Sequence, residues 1–385
     1  MKSERFDKWI SDARRGKMDD GDIARLAEFL ASSGERLPFL AGSADLASTG
    51  GPGSISTLWA PATLVAMGAT VAKLGVPGRP AGGVDVLMQL QGYRTDFDAA
   101  EAGAILQRCG YVHLLAGTQF APADAALFSY RQKIGAQDIP ALAIASLLSK
   151  KLSTGTAFAG LEVRIALHGN FGPDRASAAH NALRYCNVAR MLGITGTCFL
   201  TDGTTPQQPY LGRGEALLAV SRLLTGAECG WLGAHANNCE AWSARLTGQR
   251  IPTREATCNA FIENVSAQGG SIAELHERAV GVAAEHIRIV TACVAGVVRY
   301  DLGMLRQAIL SARRADQIPI FDDSAGLVLL VRPGAMVGAG EPLVSVRCTD
   351  EAWDSLHRAV AAAVKIGQNE NDGSESTAEV EIISV

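Results

Sequence analysis

No stretch of this 385-residue chain approaches the roughly 18 uninterrupted apolar residues that a membrane span needs. Met1-Lys2-Ser3-Glu4-Arg5 leads into polar amphipathic sequence rather than an apolar leader, so a cytoplasmic protein without a membrane partner is expected. Basic runs are absent too. Thirty-five Lys and Arg face 39 Asp and Glu for a net charge of -4, which lacks the footprint of a nucleic-acid binder. The eight cysteines, at 109, 186, 198, 229, 239, 258, 293 and 348, form no C-x-x-C pair, which speaks against a zinc ribbon or a dithiol motif and reads as buried free thiols. His235 near Asn237-Asn238-Cys239 is one imidazole and one thiol without a second pair, so no metal is assigned. Neither a Gly-Lys-Ser/Thr phosphate loop nor a G-x-G-x-x-G run occurs. What remains by default is a small-molecule partner.

The composition is globular: 48% hydrophobic, 19% charged, 41 glycines and mean hydropathy +0.12, at a length fitting two or three units or one large sheet with appendages. Phe6, Trp9, Ile10 and Ala13, then Ile23, Leu26, Ala27 and Leu30, share helical spacing about a break at Arg15-Gly16-Lys17. This predicts a helical hairpin with Asp19, Asp20 and Asp22 at the second N-terminus and Gly34 as its stop. From about residue 40, glycine-rich turns alternate with apolar runs, Leu58 to Leu74, Gly110 to Leu115, Gly160 to Leu167 and Ile194 to Leu200, which predicts an α/β sheet. Ala121 to Ser153 interrupts it with two helices opened by Pro122 and Pro140. Beyond about residue 290, short segments and turn glycines predict a β-rich unit that ends in a strand over Val380 to Val385.

Two local features can carry chemistry. Ser146 and Lys150 are four residues apart on one helix face, and with Arg131 they offer permanent positive charge and a hydroxyl to a planar heterocycle that develops negative charge. A solvated helix end with Lys150-Lys151 complementing the dipole is the alternative. The run Ala47-Ser48-Thr49-Gly50-Gly51-Pro52-Gly53-Ser54-Ile55-Ser56-Thr57 lies between an expected strand and a helix, where backbone N–H groups and hydroxyls can cradle an anion, or simply make a tight turn.

Ser48-Thr49-Gly50-Gly51, Arg131 through Ser146 to Lys150-Lys151, and Thr201-Asp202 resemble the thymidine and pyrimidine-nucleoside phosphorylases in order and spacing. Gly117-Thr118, Ala121-Pro122-Ala123-Asp124, the N-terminal hairpin and the Ala295 to Leu343 stretch extend the resemblance over nearly the whole chain. It implies an α/β fold of the nucleoside phosphorylase/phosphoribosyltransferase type, with a helical domain of residues 1–36 and 121–153, an α/β domain of 37–120 and 154–290, and a β-rich C-terminal domain of 291–385. It implies ligands in the cleft between the first two, and a pentosyltransferase in which phosphate attacks C1 of the ribosyl group of a pyrimidine nucleoside. Arg131, Ser146 and Lys150 then hold the base, with Ser48, Thr49, Gly50, Gly51 and Thr57 as further substrate ligands and Phe128 packed on the ring. No cofactor beyond phosphate as co-substrate is implied, and the assembly expected is a homodimer.

The departures fall on the anion side. The family motif places Lys-His directly before Ser-Thr-Gly-Gly, and here Leu46-Ala47 stand there. Its Ser-Gly-Arg-Gly segment has become Pro77-Gly78-Arg79-Pro80, a following Thr has become Val84, and a family Asn has become Arg213. A second N-terminal hairpin that contributes to family dimers is missing. Lys73 and Arg79 are candidates for restoring positive charge at the Ser48 loop, and His168 for the lost histidine, against a surface-turn role; His113 reads as a satisfied core residue. Two functions stand open: a glycosyltransferase with an altered acceptor, or a non-catalytic nucleoside- or nucleobase-binding protein.

Overall fold

Strands buried on both faces read as short apolar runs, and a chain that alternates them with helices covers them by laying helices on both sides of a parallel sheet. The computed structural model describes residues 4–49, 53–77, 82–167, 169–227, 230–312, 324–367 and 380–385 and has this α/β arrangement. Its first strands are β1 (Ala44–Ser48), β2 (Val71–Gly75), β3 (Tyr111–Leu115), β4 (Phe158–Ile165) and β5 (Thr195–Asp202). β1, β4 and β5 run parallel, with Ala44 beside Phe158 and Leu161 beside Cys198. β2 and β3 form a second parallel pair, and a bridge between Ser43 and Thr70 sets β2 beside β1.

Alternation along β5 shows how the faces are shared: Phe199 packs with Leu46, Trp59 and Trp242 on one side, and Cys198 and Leu200 with Leu142, Leu161 and Tyr185 on the other. The first side is covered by helices Ser56–Ala66 and Gly230–Thr247, the second by Pro140–Ser153 and Arg175–Met191. The N-terminal hairpin, Glu4–Arg14 and Asp20–Ala31, packs on this second group through Ile23, Leu26 and Leu30, at the helical spacing of the sequence. Asp19 caps the second helix in a capping box with Asp22. Gly34 does not stop that helix, which ends at Ala31 with Ser32 as its C-cap. A Cβ on Gly34 would lie 2.3 Å from the Gln119 carbonyl oxygen, so the glycine allows the hairpin to approach the start of helix Pro122–Lys133.

The remaining strands are β6 (Tyr210–Leu211), β7 (Arg288–Thr291), β8 (Gly296–Tyr300), β9 (Gly326–Leu329), β10 (Met336–Val337), β11 (Pro342–Arg347), β12 (Val364–Gly367) and β13 (Glu381–Ser384). They build antiparallel sheets in the orders β6-β9-β11-β7 and β10-β8-β12, which share a core with helices Leu302–Ser311 and Asp350–Ala363. Two connections from elsewhere in the chain were not visible in the sequence. β6 joins β9 as an edge strand, and buried Glu215 in the next helix accepts from Arg347 Nε at 2.8 Å and Nη2 at 3.1 Å, and pairs with His286 Nε2 at 2.9 Å. The terminal strand, expected with this C-terminal unit, instead lies antiparallel on β5, where it satisfies backbone groups that an open edge would leave unpaired.

Candidate functional site

A central parallel strand has no inexpensive place for a charged side chain, yet β1, β2 and β3 carry Asp45, Lys73 and His113, all buried. These residues line the floor of a cleft of about 870 Å³, open mouth included, whose far wall is made by helices Pro122–Lys133 and Pro140–Ser153. The cleft lies at the C-terminal ends of β1 and β2, where open α/β sheets bind ligands. Ser48, Thr49, Thr57, Phe128, Arg131, Ser146 and Lys150, singled out in the sequence, all line it. Gly50 and Gly51 lie outside the described residues, as do His168 and Arg79.

On the helical wall, Lys150 donates from Nζ to Asp124, to the Ser146 carbonyl at 2.9 Å and to Ser146 Oγ at 3.0 Å. Ser146 thus accepts at Oγ and retains its own O–H for donation to a ligand. Asp124, read from the sequence as part of a helix opening, is fully buried and fixes the lysine head. Arg131 is 2% exposed, and its guanidinium donates to the carbonyls of Ala136 (2.9 Å), Gln137 (2.9 Å) and Leu142 (3.4 Å). Besides facing the cleft, it clamps the turn that joins the two helices, so its orientation is set before any ligand arrives.

On the floor, Asp45 receives Lys73 Nζ at 2.8 Å on Oδ1 and Lys151 Nζ on Oδ2. Lys73 also donates to the Leu46 carbonyl at 2.8 Å. Burial raises the Asp45 carboxyl, but Lys151 and Lys73 outweigh it and hold it at about 2. Burial lowers the Lys73 ammonium, partly opposed by Asp45 and reinforced by Lys151. His113 is a correction to the sequence reading: it is 1% exposed but not satisfied, since Nδ1 has no hydrogen-bond partner. Burial, and then Lys73, lower it to about 3, so it stands in the cleft as a neutral imidazole. Gly83 is needed beside it, because a Cβ there would lie 2.8 Å from His113 Cε1 and 2.9 Å from the Thr57 carbonyl oxygen.

Behind the Ser48 loop, a second polar cluster holds its path. Thr49 donates its N–H to the Glu162 carbonyl at 2.9 Å and accepts the Arg164 N–H at Oγ1 at 3.0 Å. Ser54 and Ser56 donate to Glu162 Oε2 at 3.1 and 2.6 Å, and the Ile55 N–H donates to His235 Nε2 at 3.0 Å. That last bond places the His235 proton on Nδ1. Arg213 is paired with Asp85 at 3.1 Å.

The chain is 28% identical over 329 residues to the thymidine phosphorylases of Burkholderia cenocepacia (strain HI2424) and Burkholderia orbicola (strain AU 1054), covering 80% of this chain and 74% of each relative. The likeness is at family level, to the thymidine phosphorylases. No protein-family model matches. Among solved structures, anthranilate phosphoribosyltransferase from Thermus thermophilus aligns with a TM-score of 0.49 at 18% identity, over 73% of this chain and 95% of that one.

Sequence reasoning missed Asp45, Asp124 and Lys151 as site residues and gave His113 a core role. A strand of apolar letters with one charge was the available signal, since such a charge is retained only when paired or used. Which strands adjoin in a parallel sheet is not written locally, so the convergence of Asp45, Lys73 and His113 needed the fold.

Proposed function

We propose that this protein transfers the pentosyl group of a pyrimidine nucleoside, binding the base against Arg131, Ser146, Lys150 and Phe128 and the anionic acceptor across the cleft. The supporting observation is that these residues line one cleft opposite Ser48, Thr49 and Thr57. In the reaction an acceptor oxygen bonds to C1 of the sugar, the C1–N bond breaks, and its electron pair leaves with the base. The Ser146 O–H donates to the base oxygen or nitrogen on which that charge accumulates, and the Lys150 ammonium, its N–H groups held by Asp124 and Ser146, stabilises the charge through its field. A buried cation held by Asp124 needs no reorganisation as the charge forms. Phosphate is the acceptor that the family likeness suggests, with no other cofactor, and a homodimer is the assembly expected.

Release of free base from a panel of nucleosides, with and without phosphate, tests this. Phosphate-dependent cleavage is expected, and Lys150→Ala should lower it about tenfold or more, or ~1.4 kcal/mol of transition-state stabilisation. Unchanged cleavage in Lys150→Ala would end the mechanism. A second reading, a non-catalytic nucleoside- or nucleobase-binding protein, is favoured by Leu46-Ala47 at the motif's Lys-His positions. Base binding without cleavage by any acceptor would select it.

A further inference from the structure

Outside the base-binding wall the protein buries the Glu162–His235 cluster, the Glu215–Arg347 anchor and the Lys73–His113 floor. Only the last faces the cleft. Lys73 and His113 are register partners in the parallel β2–β3 pair, so their side chains leave the sheet side by side on one face. The Lys73 ammonium lies 2.8 Å from the carbonyl oxygen of Leu46. Position 46 is where the resembled family carries the lysine of its Lys-His motif. Lys73 thus brings a positive charge, and His113 an imidazole, to the cleft beside the strand that carries Leu46-Ala47.

We propose that Lys73 and His113 form an oxyanion subsite that receives the acceptor, with inorganic phosphate as its simplest occupant. This rests on the cleft being the reaction site. Three observations carry it. Asp45 is shared by two buried lysines, so the Asp45–Lys73–Lys151 group holds one positive charge more than its carboxylate balances. A buried excess charge is costly unless an ion of opposite sign meets it, and the cleft is the open side from which one can come. Lys73 makes two hydrogen bonds through an ammonium with three N–H groups, to Asp45 and Leu46, leaving one donor. His113 adds an imidazole nitrogen, Nδ1, that is buried and without a partner. A tetrahedral oxyanion satisfies the lysine donor and the imidazole together, whereas a neutral sugar hydroxyl would leave the charge unmet. The lowered affinity of Lys73 for its proton fits the same picture, since an arriving anion would favour the charged form.

The test measures two ligands separately on the full chain. Inorganic phosphate and uracil or thymine are titrated calorimetrically into the wild type, Lys73→Met, Lys73→Arg and His113→Leu, with circular dichroism confirming that each variant is folded. Phosphate affinity should fall about tenfold or more in Lys73→Met, fall by less in His113→Leu, and be largely restored in Lys73→Arg, while base affinity stays within about twofold. Undiminished phosphate binding in folded Lys73→Met, or no phosphate binding by the wild type, overturns the subsite. Loss of base and phosphate affinity together in Lys73→Met also overturns it, because the lysine then supports the cleft as a whole. Failure of the wild type to bind any pyrimidine base strikes the proposed function instead, and leaves the phosphate result to judge the subsite.

Discussion

Acid should destabilise this protein well above the carboxylate range, through two histidines. His113 and His235 are both fully buried and neutral, lowered chiefly by burial to about 3 and about 4 from the ordinary 6.5. Lys73 adds to the effect at His113, and Glu162 opposes it at His235. As pH falls below 6.5, the unfolded chain binds protons that the folded chain refuses, so stability is complete above that value and declines toward the folded pKa values. Between about pH 7 and about pH 5 each histidine costs about 2 kcal/mol, or about 4 kcal/mol for the pair, a large part of the stability of an ordinary protein. Urea denaturation at several pH values in this window, followed by tryptophan fluorescence, reads the effect. Trp242 is a suitable reporter because its ring centroid lies 6.2 Å from that of His235. His235→Gln, whose amide oxygen can accept the Ile55 N–H, should remove about half the decline, and His113→Asn the other half. A flat profile in the wild type, or an unaltered slope in the double variant, would refute the assignment of neutral buried imidazoles.

Asp45→Asn should be severe, because it leaves Lys73 and Lys151 buried without a counter-charge; a loss of about 3–5 kcal/mol is expected in denaturant titration. The wild-type carboxylate contribution should fade only as pH drops from its unfolded value of 3.8 through about 2. Gly326→Ala would place a Cβ 1.8 Å from Glu215 Oε2 and displace the carboxylate that binds Arg347 and His286. Limited proteolysis should then cut within the C-terminal sheets about tenfold faster or more, with cutting elsewhere unaltered.

The helical wall of the cleft could be read from the chain because its parts are local. Ser146 and Lys150 are one helical turn apart, and Arg131 lies one short helix away. The parallel strands were recognisable as apolar runs, and the hairpin as a helical period interrupted by Arg15-Gly16-Lys17. The cleft floor could not be read in this way. Lys73 and His113 are 40 positions apart, and only parallel pairing of β2 with β3 makes them neighbours. Lys151 has one basic neighbour in sequence and reads as dipole complement, whereas its partner Asp45 comes from a strand over a hundred residues earlier. Gly34 shows the same limit at the backbone. Its position fits a helix stop, but its reason is the Gln119 carbonyl beside it.

The pairing of β13 with β5 has a consequence for synthesis. The chain emerges from the ribosome in order, and β5 is complete about 180 residues before the strand that covers its edge. At roughly 5–20 residues per second, that edge stays open for roughly ten to forty seconds. During that time the exposed backbone of Thr197 to Leu200 can pair with any nascent neighbour. Crowded polysomes should therefore produce aggregates seeded at β5, and a peptide matching residues 380–385 supplied in trans should suppress them.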